Sequence, residues 1–128
     1  MTFDLDEFGR FNKLHGVQVG DQVLRVFAGA IRSRVRQTDL VGRYGGEEFV
    51  VILPGSDRHR AVEVAEEIRQ RLAAERIVAE DGSVLSVTVS AGCAELDPDN
   101  PTREELLRTA DVALSMAKRS GRDRVVAA

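Results

Sequence analysis

Apolar residues recur at helical spacing in three stretches of the chain and form short, dense runs between them. Val23, Leu24, Phe27, Ala28, Ile31 and Val35 share one face and predict an amphipathic helix over 21–35. Ala61, Ala65, Ile68 and Leu72 predict a second over 57–73. A third carries Leu106, Leu107, Ala110, Ala113, Leu114 and Ala117 inward. It opens on a Thr102–Glu105 capping box behind Pro101 and stops at Gly121. Elsewhere the period shortens. MTFDL (1–5) reads as a strand, and DEFGRFNKLHG (6–16) as a short helix with Phe8 and Phe11 inward, punctuated by Gly16 and Gly20. TDLVGRY and EEFVVILP read as strands joined by Gly45-Gly46, a loop suited to the primed turns that need positive φ. Residues 49–53 are apolar on both faces, which predicts a central strand covered from both sides. A hairpin turning at Asp81-Gly82, a long strand with Val87, Val89 and Ala91 on one face, and an edge strand DRVVAA complete the chain.

This order of elements predicts an α+β domain over 1–128, with helices packed on a mainly antiparallel sheet. A hydrophobic content of 43% and a charged content of 30% suit one packed core with a polar surface. The net charge of -3, from 21 acidic and 18 basic side chains, argues against a general nucleic-acid binder. A small phosphate site built from a few local cations stays open. Cys93 is the only cysteine, so a disulfide framework and a cysteine zinc site are excluded. Its apolar surroundings predict a buried, inert thiol in a reducing cytoplasm. No apolar stretch is long enough to span a bilayer, and the start lacks a signal-peptide pattern. The expected setting is the cytoplasm, including that of a cytoplasmic module of a larger, even membrane-attached, protein. His15 and His59 read as surface residues.

The chemistry concentrates at RYGGEEFVVILPG, Arg43 to Gly55, where two glutamates follow a Gly-Gly turn at the mouth of an apolar strand. Glycine admits close approach of backbone to a ligand. Asp4 and Asp6 lie at the end of the first strand; if that strand neighbours the other, Asp4 and Glu47 converge. Two carboxylates at a glycine-lined rim suit a Mg²⁺ shared with substrate phosphates. Strand alternation sends Glu47 and Glu48 to opposite faces, so the two should differ in role. The alternative is a charged hairpin tip that keeps the sheet end soluble.

RYGGEEF resembles the signature of the GGDEF family, the diguanylate cyclases, in its GGEEF form. FDLDEFGRFNKLHGVQVGDQVLR is similar to the family's D-x-D-x-F-K-x-x-N-D-x-x-G-H-x-x-G-D-x-x-L block, and AKRSGRDRV to its closing A-K-x-x-G-R-N segment. The blocks occur in family order and spacing over nearly the whole chain. The resemblance implies a fold like the polymerase palm and the class III nucleotide cyclases, with a ferredoxin-like core and a central, mainly antiparallel sheet flanked by helices. It implies condensation of two GTP into cyclic di-GMP and pyrophosphate, each domain of a homodimer holding one GTP. By position, Asp4, Glu47 and the Leu5 carbonyl would ligate Mg²⁺, with Mn²⁺ as an alternative. Glu47 would activate the attacking hydroxyl and Glu48 assist. Asn12 and Asp21 would bind the guanine edge. The Glu7 and Phe8 backbone and Gly45-Gly46 would lie against the phosphates, and Lys118 and Arg122 would bind terminal phosphate oxygens. Without the resemblance, that last pair reads as solvated charges favourable to a helix end. RQTD, Arg36 to Asp39, stands where the family has its R-x-x-D inhibitory site for cyclic di-GMP. The following helix offers Glu63, Glu67 and Arg69 where many members supply a supporting arginine.

Departures bear on activity. Gly9 stands where the family has lysine, Lys13 where it has aspartate, and Val17 where it has histidine. The helix and D-x-L-T-G-L-x-N-R-like segment that usually precede the first strand do not appear, so Asp4 is expected on a frayed strand. Two further readings follow: a cyclic di-GMP receptor of little or no activity, and a regulatory pairing module that only binds GTP.

Overall fold

The first strand, β1 (Thr2–Leu5), is buried along its whole length and forms the middle of the sheet in the computed structural model, which describes residues 1–128. The elements that follow are α1 (Phe8–His15), α2 (Val17–Arg32), β2 (Leu40–Arg43), β3 (Glu48–Ile52), α3 (Arg58–Ala74), β4 (Ile77–Val78), β5 (Val84–Leu85), β6 (Val89–Cys93), α4 (Arg103–Arg119) and β7 (Val125–Ala127). The main sheet has the order β2-β3-β1-β6-β7. All its pairs are antiparallel except β6 with β7, and β4 pairs with β5 as a separate hairpin. This is the α+β, mainly antiparallel architecture the pattern predicts. β1 is not frayed: it has a partner on each side, and the Met1 ammonium donates to the Val51 carbonyl at 2.8 Å.

Alternation divides the sheet into two unlike faces. Phe3, Leu5, Phe49, Val51, Val89, Ala91 and Cys93 enter one continuous core with Val23, Phe27 and Ile31 of α2 and Ala65, Ile68 and Leu72 of α3. Phe27 makes edge contacts with Phe3 and Phe49, at centroid distances of 5.7 and 4.9 Å. The opposite face carries Thr2, Asp4, Ser90 and Gly92 and is covered by α4 alone. Burial pushes the Cys93 thiol up to about 11, so the sulfur is protonated and inert as expected.

Several expectations need correction. α2 begins at Val17 rather than Asp21, because Gly20 is helical, and it ends at Arg32 rather than Val35. β3 is not covered on both sides. α4 lies over β6, β7 and β1 and leaves Val50 half-buried and Ile52 exposed beside a cleft of about 730 Å³. The β2–β3 connection is not a two-residue primed turn. The Tyr44 amide donates to the Glu48 carbonyl at 2.7 Å around three intervening residues, and of the two glycines only Gly45 has positive φ, at 91°. The capping box is half made. The Glu105 amide donates to Thr102 Oγ1 at 3.1 Å, while the Glu105 carboxylate binds Arg108. Leu106 and Leu107 are half-buried at the cleft rather than inside.

α4 approaches β6 closely because Gly92 faces it. A Cβ there would lie 2.1 Å from the Ala110 carbonyl oxygen and 2.4 Å from the Leu114 nitrogen, both backbone atoms that cannot rotate away. Gly92→Ala is therefore expected to cost at least about 2 kcal/mol in urea unfolding, through forced separation of α4 from the sheet. A loss within experimental error would show that the helix yields freely.

Candidate active site

β1 carries Asp4 across the sheet toward α4. Asp4 pairs with Glu48 on β3 and Ser90 on β6 in the strand register. Directly opposed residues in an antiparallel pair point to the same face, so Glu48 shares Asp4's side. The strand neighbourhood that convergence of carboxylates requires is thus present, but the residue facing Asp4 is Glu48. Glu47 lies one step nearer the open end, where its carbonyl accepts from the Leu5 amide at 3.2 Å. The Asp4 carboxylate is only 9% exposed and is met by the Lys118 ammonium of α4 in a short ion pair. Burial holds the Glu48 carboxyl above its usual range, and the Asp4 charge adds to this while Lys118 opposes it.

The Gly-Gly loop is shaped by a residue with no predicted role. Arg43 donates from Nε and Nη2 to the Gly46 carbonyl, at 3.0 and 2.7 Å. The turn's carbonyl is thereby held by a cation, and the two glycines stay free of side-chain bulk, with open space at each.

Glu7, the residue before α1, adopts the left-handed conformation (φ 53°) without a side-chain cap, and Phe8 is buried at the helix start. Asn12 of α1 lies against Gly20 of α2 so closely that a Cβ on Gly20 would meet Asn12 Oδ1 at 1.9 Å. That Oδ1 is buried and has no hydrogen-bond partner, while the neighbouring Asp21 is exposed. An orphaned amide acceptor beside an exposed carboxylate is suited to a ligand edge rich in N–H donors. Gly20, expected as punctuation, lies inside α2. Its position inside a helical register, where glycine is costly, was the available sign that something packs there.

Arg122 follows α4 in a loop of three consecutive positive-φ residues, Gly121, Arg122 and Asp123, at 122°, 63° and 47°. Two non-glycine residues in this region cost on the order of 1 kcal/mol each and persist only where neighbours enforce them. The Arg122 amide donates to the Ala117 carbonyl at 3.0 Å, and its side chain is exposed. Lys118 and Arg122 thus stand at the same end of the sheet as Asp4 and the Gly-Gly loop, one half-buried and one in solvent.

Arg36 and Asp39 are brought together elsewhere, between α2 and β2. Their side chains meet at 3.2 Å, and the Arg36 amide donates to Asp39 Oδ2 at 2.6 Å. Arg36 also donates to the Pro54 carbonyl and Ser56 Oγ, and the Asp39 side chain is 2% exposed. No arginine of α3 joins them: Glu67 pairs with Arg34, and Arg69 with Glu66 and Asp123.

No group of three or more His, Cys, Asp or Glu side chains in the fold could hold a metal by itself. The donors at the rim are hard oxygens, Asp4 with Glu47 and Glu48. Such a set fits a Mg²⁺ that completes its shell with substrate phosphates rather than one caged by protein.

Residues 1–124 match the family model described as "Diguanylate cyclase, GGDEF domain". The response regulator PleD of Caulobacter vibrioides is 42% identical over 127 residues, covering 98% of this chain and 28% of that protein. The diguanylate cyclase DgcP of Pseudomonas aeruginosa is 42% identical over 124 residues, 97% of this chain and 18% of that one. The chain therefore spans under a third of the length of these relatives. Among solved structures, the GGDEF domain of DgcB from Caulobacter crescentus, in complex with c-di-GMP, superposes with a TM-score of 0.93 at 35% identity, covering 98% of this chain and 74% of that one. The active GGEEF domain of a diguanylate cyclase from Vibrio cholerae gives 0.91 at 32%, covering 98% and 79%.

The raised Glu48 carboxyl fixes the sign of a pH effect. Its protonation favours the folded chain, so its contribution is greatest below the ordinary glutamate range and is lost as pH rises through the raised value. In metal-free buffer Glu48→Gln should therefore raise the melting temperature at pH 7, by a few degrees at most, and leave it unchanged at pH 4. Equal effects at both pH values would contradict the assignment.

Proposed function

The chain belongs to the GGDEF family, and from that premise we propose that it condenses two GTP molecules into cyclic di-GMP. The 3′-hydroxyl of each GTP forms a bond to the α-phosphorus of the other, and each attack expels one pyrophosphate. Two copies of the domain face each other, each presenting one nucleotide. The observation that carries the reading is the rim itself: a buried carboxylate on the central strand, two glutamates at a bare Gly-Gly loop, and two cations at the end of α4.

Roles follow from placement. Asn12 Oδ1 and the Asp21 carboxylate accept from the guanine N1 and N2 hydrogens. The backbone at Glu7 and Phe8, opening α1, and the Gly45-Gly46 loop lie against the phosphates. Lys118 and Arg122 take terminal phosphate oxygens. Asp4, Glu47 and the Leu5 carbonyl would hold Mg²⁺, or Mn²⁺ in its place. When bound, the ion neutralises charge on the transferring phosphate. Lys118, paired with Asp4 in the free domain, would exchange that carboxylate for a phosphate oxygen. Glu47 accepts the proton of the attacking hydroxyl, and Glu48, facing Asp4, supports the site electrostatically.

Cyclic di-GMP binds back at Arg36 and Asp39. Because these side chains bind each other, the ligand must replace that contact with its own phosphate and guanine edge. Exchange of one satisfied pair for another, with no α3 arginine added, favours weaker inhibition than a fully supported site gives.

A second reading is favoured by one observation. Gly9 leaves open space in the first turn of α1, where the family has a lysine. A domain short of one phosphate cation would serve as a cyclic di-GMP receptor with little turnover.

Incubation with GTP and Mg²⁺, followed by chromatography, is expected to yield cyclic di-GMP. Glu47→Gln should lower that rate by at least about a hundredfold, in line with loss of a general base, with the circular dichroism spectrum unchanged. Full activity in Glu47→Gln would remove the assignment, while binding of cyclic di-GMP without turnover would favour the receptor. Arg36→Ala is expected to prevent added cyclic di-GMP from slowing turnover, and inhibition that survives the substitution would place the inhibitory site elsewhere.

A further inference from the structure

Asp6, the second aspartate of the D-x-D pair, has no place at the rim. Its carboxylate accepts from Ser90 Oγ at 2.6 Å, Thr88 Oγ1 at 2.7 Å and the Asp123 amide at 3.0 Å. With these three donors, Asp6 is bound into β6 and into the loop after α4. The Asp123 side chain is held from the other face of the sheet by Arg69 of α3, at 2.8 Å. Arg69 is 19% exposed and is clamped in turn by both oxygens of Glu66. The amide and the carboxylate of one left-handed residue are therefore fixed by two different layers of the fold. The neighbour on its N-terminal side is Arg122, also left-handed. The closing motif has asparagine at the position of Asp123; a carboxylate there gives Arg69 an ionic partner.

We propose that Asp6 and Arg69 are positioning residues that fix Asp123 and thereby aim Arg122 at the terminal phosphates of the bound nucleotide. The proposal rests on the cyclase reading for the role of Arg122. Neither residue touches the nucleotide. Asp6 sets the loop's backbone and Arg69 its approach to the sheet edge. With both in place, the guanidinium of Arg122 is presented by a loop whose conformation is determined before the ligand arrives, which lowers the ordering cost of binding.

The test is calorimetric titration of the purified chain with GTP and with GMP in Mg²⁺, since GMP lacks the phosphates that Arg122 addresses. Arg69→Gln should weaken GTP binding about fivefold, a coupling of the size found for residues in one network, and leave GMP binding unchanged. Arg69→Lys should recover part of the loss. In an Arg122→Ala background, Arg69→Gln should produce no further loss. Asp6→Asn should speed hydrogen exchange at the Asp123 amide while global unfolding stays cooperative. Unchanged GTP affinity in Arg69→Gln, equal losses for GTP and GMP, or an undiminished loss without Arg122 would each overturn the proposal. A chain that binds no GTP at all would overturn the cyclase reading together with the proposal, a result distinct from GTP binding that ignores Arg69.

Discussion

The constraint on which the rest of the site depends is a carboxylate held nearly out of water at the centre of the sheet. Asp4 sits on β1, the strand with a neighbour on each side, and its charge must be matched nearby because an isolated buried charge is expensive. The match comes from Lys118, distant in sequence and delivered by α4. This one contact ties the C-terminal end of α4 to the central strand, just before the loop carrying Arg122. A buried pair that loses one partner is strongly destabilised, but in the proposed cyclase metal and phosphate would replace both partners and exchange one satisfied arrangement for another.

The two faces of the sheet divide the labour. The α2–α3 face is apolar throughout and holds the strands in register through Phe3, Phe27, Phe49 and Ile68. The α4 face is covered by a single helix, polar near the rim, and drawn close where Gly92 lets the helix approach. Register set by the apolar face determines what the polar face presents, because a slip of one residue in β3 would exchange Glu48 for a core phenylalanine. The arrangement explains why so few apolar side chains cover the site end without loss of order there. Its groups are fixed by strands whose stability comes from the far side.

Much of this was legible in the sequence. Helical and strand periods located the five main-sheet strands and the four helices, and the Gly82 turn falls where expected. The candidate site residues were legible through the resemblance, which fixed their order and spacing. The reach of α4 was not legible: coverage of Val50 and Ile52 depends on where one helix lies on a sheet, and periodicity cannot say that. Nor was the identity of Asp4's cross-strand partner, which turns on the length of the Gly-Gly loop. Contacts that close over long sequence distances, such as Arg69 with Asp123 and Asp6 with the same residue, leave no local pattern. Gly20 did leave one, a glycine within a helix, whose meaning became clear only with Asn12 beside it.

The most direct test of the central claim is a crystal structure of the chain with Mg²⁺ and a GTP analogue that cannot react. The account predicts that the Lys118 ammonium has left Asp4 for a phosphate oxygen, with the metal on the Asp4 carboxylate in its place. A triphosphate bound elsewhere, with Lys118 still on Asp4, would contradict it.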